Sequence, residues 1–180
     1  YWMTAARRAQ WNHALQHAVD LAKQHNVPLV VIECLALQHR WANDRISTFV
    51  LQGMVDNRAA FDGTTVTYIP YVETKRKQAS GLLKGWLEHA RACVIDDYPT
   101  YYPKHVLNVA LSVIPCEIHV VDSNGFMAMR AQGRDFSTAY SLRRHLHKTI
   151  REHMHEFPQR RPLEAASDLP PADPALVKAI

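Results

Sequence analysis

The feature that most constrains this chain is the strict alternation of two kinds of pattern along it. Four short apolar runs, 27–34 (VPLVVIEC), 64–72 (TTVTYIPYV), 92–95 (ACVI) and 116–121 (CEIHVV), are separated by longer stretches with helical periodicity. The first and third runs are almost continuously apolar, which is how a strand reads when both its faces are covered in a parallel sheet. Residues 1–3 (YWM) read as the remnant of one more strand. Between the runs, Trp11, Ala14, Leu15, Ala18, Leu21 and Ala22 recur at helical spacing, and Ile46, Phe49, Val50 and Phe61 do so around a longer helix. Leu82, Leu83, Trp86 and Leu87 mark a third helix, and Val106, Val109, Ala110 and Val113 a fourth with Pro103 as its first residue. Strand and helix in alternation build right-handed βαβ units. The prediction is therefore an α/β fold, a Rossmann-like doubly wound parallel sheet of about five strands with flanking helices. Ligands of such sheets bind outside the carboxyl ends of the strands, which points to the loops 4–8, 33–41, 96–102 and 122–126.

After Asp122 the pattern changes. Ser123-Asn124-Gly125 is a turn, 126–131 reads as a short extended piece, and Ser137 or Thr138 caps a helix reaching about His155. Leu169-Pro170-Pro171-Ala172-Asp173-Pro174 is too proline-rich for regular structure. The expected organisation is an α/β domain over 1–130, then a connecting helix and Pro-rich linker over 131–180. A linker with nothing after it suggests a domain taken from a longer protein. The 180 residues suffice for one domain with a real core. No apolar run approaches the roughly 20 residues that span a bilayer. Three cysteines, Cys34, Cys93 and Cys116, lie far apart and form no C-x-x-C pair, which predicts buried free thiols in a reducing cytoplasm.

The net charge of +4 is unevenly placed. Residues 1–129 carry 12 Lys and Arg against 11 Asp and Glu, whereas 130–161 carry 8 against 3. A basic segment of this kind suits nucleic acid or an acidic partner surface, or is simply a solvated helix face.

Negative signals narrow the chemistry. No G-x-G-x-x-G follows a strand, no G-x-x-x-x-G-K-[ST] or G-x-S-x-G occurs, and the 6 glycines are scattered. Dinucleotide, Walker-type and nucleophile-elbow sites are thus disfavoured, and no catalytic residue is predicted. The 11 histidines include the turn-spaced His13 and His17 and the pairs His145/His147 and His153/His155, but none has an identifiable third ligand, so no metal is expected. Trp2, Trp11, Trp41 and Trp86 read as packing residues rather than an electron relay. The most distinctive local sequence is Asp96-Asp97-Tyr98-Pro99-Thr100-Tyr101-Tyr102-Pro103, at the end of a buried strand. Its carboxylates and tyrosines suit an aromatic heterocycle, and equally suit helix capping and tyrosine packing.

Several of these residues together resemble a known family. Tyr1-Trp2-Met3, then Arg8, Asn12, Ala14 and Leu15, resembles the R-x-x-D-N-x-A-L segment after the first strand of photolyases and cryptochromes. The Y-W-M start is most like class II deoxyribodipyrimidine photolyases, and Trp11 stands where the family usually has aspartate. Val120-Val121-Asp122-Ser123-Asn124 resembles the turn closing that family's α/β domain. Residues 136–144, with Phe157-Pro158 and Pro162-Leu163, resemble the start of its interdomain connection. The resemblance implies an antenna-chromophore and structural domain that binds a deazaflavin or a folate. The FAD and the light-driven splitting of cyclobutane pyrimidine dimers in DNA would belong to a helical flavin-binding domain outside this chain, which alone would be non-catalytic. It further implies that Met3, Arg8, Glu33, Asp96, Asp97, Tyr98 and Asn124 line the antenna crevice, and that DNA is met through the full-length protein. Two alternatives stay open: a stand-alone nucleotide-binding or stress-type α/β module, and a cryptochrome-like photoreceptor domain.

Overall fold

The computed structural model describes residues 1–37, 42–75, 77–99 and 101–175, with Tyr101 and Tyr102 described in their backbone alone. Five strands, β1 (Trp2–Met3), β2 (Val30–Ala36), β3 (Thr67–Glu73), β4 (Ala92–Asp97) and β5 (Glu117–Asp122), form one sheet in the order β3-β2-β1-β4-β5. Every neighbouring pair is parallel. The expected doubly wound α/β sheet is what the chain forms. The strand order reverses between β1 and β4, which makes their carboxyl ends the topological switch point.

The connecting helices are α1 (His13–His25), α2 (Asp44–Phe61), α3 (Leu82–Leu87) and α4 (Tyr101–Val113). Right-handed crossovers put α1 and α2 on one face of the sheet and α3 and α4 on the other. The α1 face carries the larger core, with Met3, Leu15, Val19, Val31 and Val94 between 0% and 3% exposed. Burying side chains such as Leu15 and Val19 contributes about 1.5–3 kcal/mol each. The second core joins Cys93, Ile95, Leu107 and Ala110 under α3 and α4. β1 is only two residues long, yet it is central and its Met3 is wholly buried.

Local sequence explains the element ends. Asn12 caps α1 by accepting the Leu15 N–H at 2.9 Å, and Asn26 closes that helix with φ of 50°. Asn43 caps α2 in the same way.

Four expectations need correction. In α2 only Met54, Asn57 and Phe61 are buried, while Ile46 and Phe49 are 46% and 76% exposed, so the apolar residues of its first half do not pack into the core. α4 begins at Tyr101, so Pro103 sits within the first turn rather than at its first position, still where a missing N–H is harmless. Residues 126–131 are not extended. The Met129 N–H donates to Asp122 Oδ2 at 2.6 Å, and a 3₁₀ turn (Met129–Gln132) follows, closed by Gly133 at φ of 65°. Of the three free cysteines only Cys93 is fully buried, and Cys34 and Cys116 are partly so.

Past this turn, α5 (Ala139–His153) is capped by Thr138, whose hydroxyl accepts the Ser141 N–H at 3.2 Å. A second 3₁₀ turn (Pro162–Ala166) then folds back along α1. Ala166 and Leu169 are 0% and 4% exposed within the larger core. Lys23 Nζ donates to the Ala165 carbonyl at 3.1 Å and Thr65 Oγ1 to the Ala166 carbonyl at 2.5 Å, which fixes the segment at both flanks.

Candidate functional site at the carboxyl edge of the sheet

The two adjacent aspartates that end β4 go to opposite faces, because successive strand side chains alternate. Asp96 points to the α1 face and is 2% exposed. Its Oδ2 accepts the backbone N–H groups of Thr4, Ala5 and Ala6 at 2.9, 2.7 and 3.0 Å, and its Oδ1 accepts the Tyr1 hydroxyl at 2.8 Å. Three successive N–H groups turned toward one point form the kind of concavity that binds anions. Here the chain's own carboxylate occupies it. Burial, and next the Asp96 charge, hold the Tyr1 phenol well above its ordinary pKa, so the proton stays available for this bond.

Asn12 locks the same loop from the other side. Its amide nitrogen donates to the carbonyls of Ala6 and Arg8, both at 2.9 Å, while its oxygen caps α1. Trp11, with φ of 50°, carries the left-handed residue that turns the chain into the helix, and its carbonyl accepts from Arg8 Nε and Nη2 at 3.2 and 2.9 Å. Arg8 is thus an exposed residue bracing the loop.

Asp97 points to the α4 face and is paired in bidentate fashion with Arg130. That hydrogen bond, reinforced by the Asp97 charge, raises the Arg130 guanidinium pKa further. Beside it, Asn124 Nδ2 donates to the Asp97 carbonyl and to Asp122 Oδ1, both at 2.9 Å, joining the ends of β4 and β5. Tyr98 follows β4 directly and is 38% exposed.

Met3 and Glu33 are partners in register on β1 and β2, both turned toward α2 and both buried. Glu33 is 1% exposed yet its charge is matched. Arg7 Nη1 reaches Oε1 at 3.0 Å, and Asn57 Nδ2 and the Tyr68 hydroxyl donate to Oε2 at 2.9 and 2.5 Å. Asn57 Nδ2 also lies 3.7 Å from Met3 Sδ. Burial, and next the Glu33 hydrogen bond, push the Tyr68 phenol far above its usual range, keeping it a donor.

Six of the seven predicted site residues therefore lie at or just beyond the carboxyl ends of β1, β4 and β5, and Glu33 lies midway along β2 beside Met3, so the seven do not form one cluster. Met3, Glu33 and Asp96 are turned inward. Asp97 is buried on the α4 face, whereas Arg8 and Tyr98 are exposed and Asn124 is partly so. Residues 38–41 of the 33–41 loop and Thr100 of the 96–102 loop lie outside the described residues. Sequence reasoning missed Arg7, Asn57, Tyr68 and Arg130. The signal available was the buried Glu33 itself, which requires partners.

Elsewhere, of the turn-spaced His13 and His17, the second meets a histidine distant in sequence. His17 Nε2 lies 3.0 Å from His119 Nδ1, joining α1 to β5. His119 Nε2 is 3.3 Å from Glu117 Oε1 but outside hydrogen-bonding geometry, so this buried nitrogen has charge proximity without a bond. Among the described residues no three His, Cys, Asp or Glu side chains converge as metal ligands, and no helix is long and apolar enough to cross a membrane. Burial pushes the Cys34 and Cys93 thiols up to about 11, so neither is a ready nucleophile.

A cavity of about 780 Å³ opens at the opposite, amino edge of the sheet, lined by Trp2, Val30, Leu83, Trp86 and Leu87 among others. Its walls are mainly hydrocarbon, and His89 and Arg91 stand exposed around it. The chemistry-bearing side chains are at the carboxyl edge, where the fold rule also places ligands.

No family model matches the chain. Over 124 residues, 69% of its length, the chain is 27% identical to the deoxyribodipyrimidine photo-lyase of Methanothermobacter thermautotrophicus. The matched stretch spans 27% of that protein's length.

Proposed function

We propose that this chain is the antenna-chromophore and structural domain of a photolyase-like protein, with an α/β domain over 1–130. Residues 131–180 form the connecting helix and Pro-rich linker toward a helical flavin-binding domain. The single observation that carries this reading is the similarity to the archaeal deoxyribodipyrimidine photo-lyase. The strand order supports it, because the switch point, where sheets of this kind bind ligands, falls between the loops after β1 and β4.

The residues at that switch point favour an antenna heterocycle over a nucleotide. A pyrophosphate needs free backbone N–H groups at the first βα turn, and Asp96 already holds those of Thr4, Ala5 and Ala6. A second negative charge there would also meet the Asp96 carboxylate. A flat, largely uncharged ring system needs instead an aromatic face and a few oriented polar groups. The Tyr98 ring offers the first and the Asn124 carbonyl the second, and Asn124 is fixed by its bonds to Asp97 and Asp122. These residues fit a deazaflavin or a folate ring. When bound, the antenna supplies light absorption and energy transfer. The chain's own residues hold the ring at the edge, and Asp96 keeps the loop beneath it closed. FAD, repair of pyrimidine dimers and location in the cytoplasm are properties of the proposed full-length protein.

The test is to express the full open reading frame, purify it in the dark and record its absorption spectrum. Oxidised-flavin bands, with an added near-ultraviolet or blue antenna band that Tyr98→Ala weakens, are the expected result. A colourless full-length protein that binds ATP would overturn the reading in favour of a nucleotide-binding module.

A further inference from the structure

α5 divides cleanly into two sides. Leu142, Leu146 and Ile150 are half-buried, on the side where Phe136 meets His145 with ring centroids 5.0 Å apart and Thr149 Oγ1 lies 3.9 Å from Met127 Sδ. At 3.6 residues per turn, Tyr140, Arg143, Arg144, His147, Lys148 and Arg151 fall within an arc of about 140° on the other side. All six are exposed. Among the described residues, none of Arg143, Arg144, Lys148 and Arg151 lies within ion-pair distance of a carboxylate. Solvated helix faces usually mix signs at i and i+4 spacing, because like charges there repel. Here Glu152, four residues from Lys148, is the helix's one acid, whereas Arg144 and Lys148 are like charges at that same spacing and Arg143 is four residues from His147, so the face goes against that pattern. The repulsion is relieved by a polyanion.

We infer that the exposed basic face of α5 binds the phosphate backbone of duplex DNA. The inference rests on the photolyase-like reading for the choice of DNA, and goes beyond it by giving this domain its own nucleic-acid contact. Three observations favour a duplex over other polyanions. The helix is about 22 Å long at 1.5 Å per residue, and its width of about 10–12 Å matches a major groove of about 12 Å. Its cations are mostly arginines, whose planar fork suits phosphate oxygens. Tyr140 is the one Phe, Tyr or Trp in the arc and already has the Arg144 guanidinium 5.9 Å from its centroid, whereas single-strand binding relies on several open rings. An anionic membrane is disfavoured, because interfacial helices insert their apolar side, and here that side is turned toward Phe136 and Met127.

The experiment is fluorescence anisotropy of a labelled 20-base-pair duplex with the 180-residue chain across a salt series, the duplex length being about two helical turns. Four phosphate contacts predict a slope of log K against log salt of about −3.6, so doubling the salt weakens binding about 12-fold. The variant R143A/R144A/K148A/R151A, whose changes are all at exposed positions, is expected to lose at least tenfold in affinity with a far shallower slope. A control that removes the same charge elsewhere, R58A/K75A/K77A/K84A, is expected to bind within about threefold of the parent chain, since those cations lie off the helix. Equal loss in both variants, no salt-dependent binding, or stronger binding to phosphatidylserine vesicles than to the duplex would overturn the inference. Failure of the chromophore test alone leaves the DNA-binding result standing, and failure of DNA binding leaves the spectrum untouched, so the two readings fail separately.

Discussion

Asp96 and Asp97 are neighbours in sequence, both acidic and both nearly buried, yet the structure assigns them unequal weight. Replacing Asp96 with alanine removes the acceptor of three backbone N–H groups and the Tyr1 hydroxyl at once. Each buried donor left without a partner costs about 1–3 kcal/mol. Water reaching the part-buried Thr4 and Ala5 groups recovers some of this, so the expected loss is about 3–5 kcal/mol. For a domain of this size that lowers the melting temperature by roughly 8–15 °C. Asp96→Asn keeps the shape and one oxygen but loses the charge, so about 1.5–3 kcal/mol is expected. Asp97→Ala leaves the Arg130 guanidinium, 70% exposed, free to take up water, and should move the midpoint far less than Asp96→Ala. Urea unfolding followed by circular dichroism gives all three values, with equal m-values confirming that native states are compared. A loss below about 1 kcal/mol for Asp96→Ala, or one matched by Asp97→Ala, would refute the assignment of the loop's stability to this carboxylate.

Other substitutions probe the remaining network. Tyr68→Phe removes one of the three donors to the buried Glu33 carboxylate, and a loss of about 1.5–3 kcal/mol is expected in the same unfolding assay; an unchanged midpoint would mean that Arg7 and Asn57 suffice. Leu169→Ala should destabilise by about 2–3 kcal/mol, because Leu169 is buried in the main core, and a neutral result would mean that the segment after Arg161 does not dock in solution. Burial first and the His119 ring second lower the His17 pKa, and burial first and Arg8 second lower that of His13. The folded state therefore binds fewer protons than the unfolded chain below the unfolded histidine pKa of about 6.5, so stability falls as pH drops from 7 toward 5. Urea midpoints over that range should show this slope, reduced in His17→Asn. A flat profile, or an undiminished slope in the variant, would remove the histidine pair from the account.

Much of the architecture was legible because it follows from periodicity. The near-continuous apolar runs at 27–34 and 92–95 required strands covered on both faces, and such strands require alternating helices and a parallel sheet. The structure has that sheet, with β2 and β4 overlapping those runs and each extending two residues past them. The cap at Thr138 was visible for the same local reason, since a hydroxyl before a helical pattern has an N–H to satisfy. Where the pattern was ambiguous, tertiary context decided. The stripe of Ile46, Phe49 and Val50 has the period of a buried face, yet whether a face is covered depends on how far the sheet extends beneath it, and Ile46 and Phe49 stand exposed.

The site divides along the same line. Sequence alone put the loops 4–8, 33–41, 96–102 and 122–126 at the carboxyl edge, because strand ends and turns are local properties, and the family resemblance singled out Met3, Arg8, Glu33, Asp96, Asp97, Tyr98 and Asn124 in and beside them. Partners were beyond its reach. Asp96 serves a loop about 90 residues earlier, Glu33 draws Tyr68 from the next strand, and Arg130 reaches back 33 residues to Asp97. A buried charge must be matched, but which group matches it depends on strand order and on the pleat that sends Asp96 and Asp97 to opposite faces, and both exist only once the chain has folded.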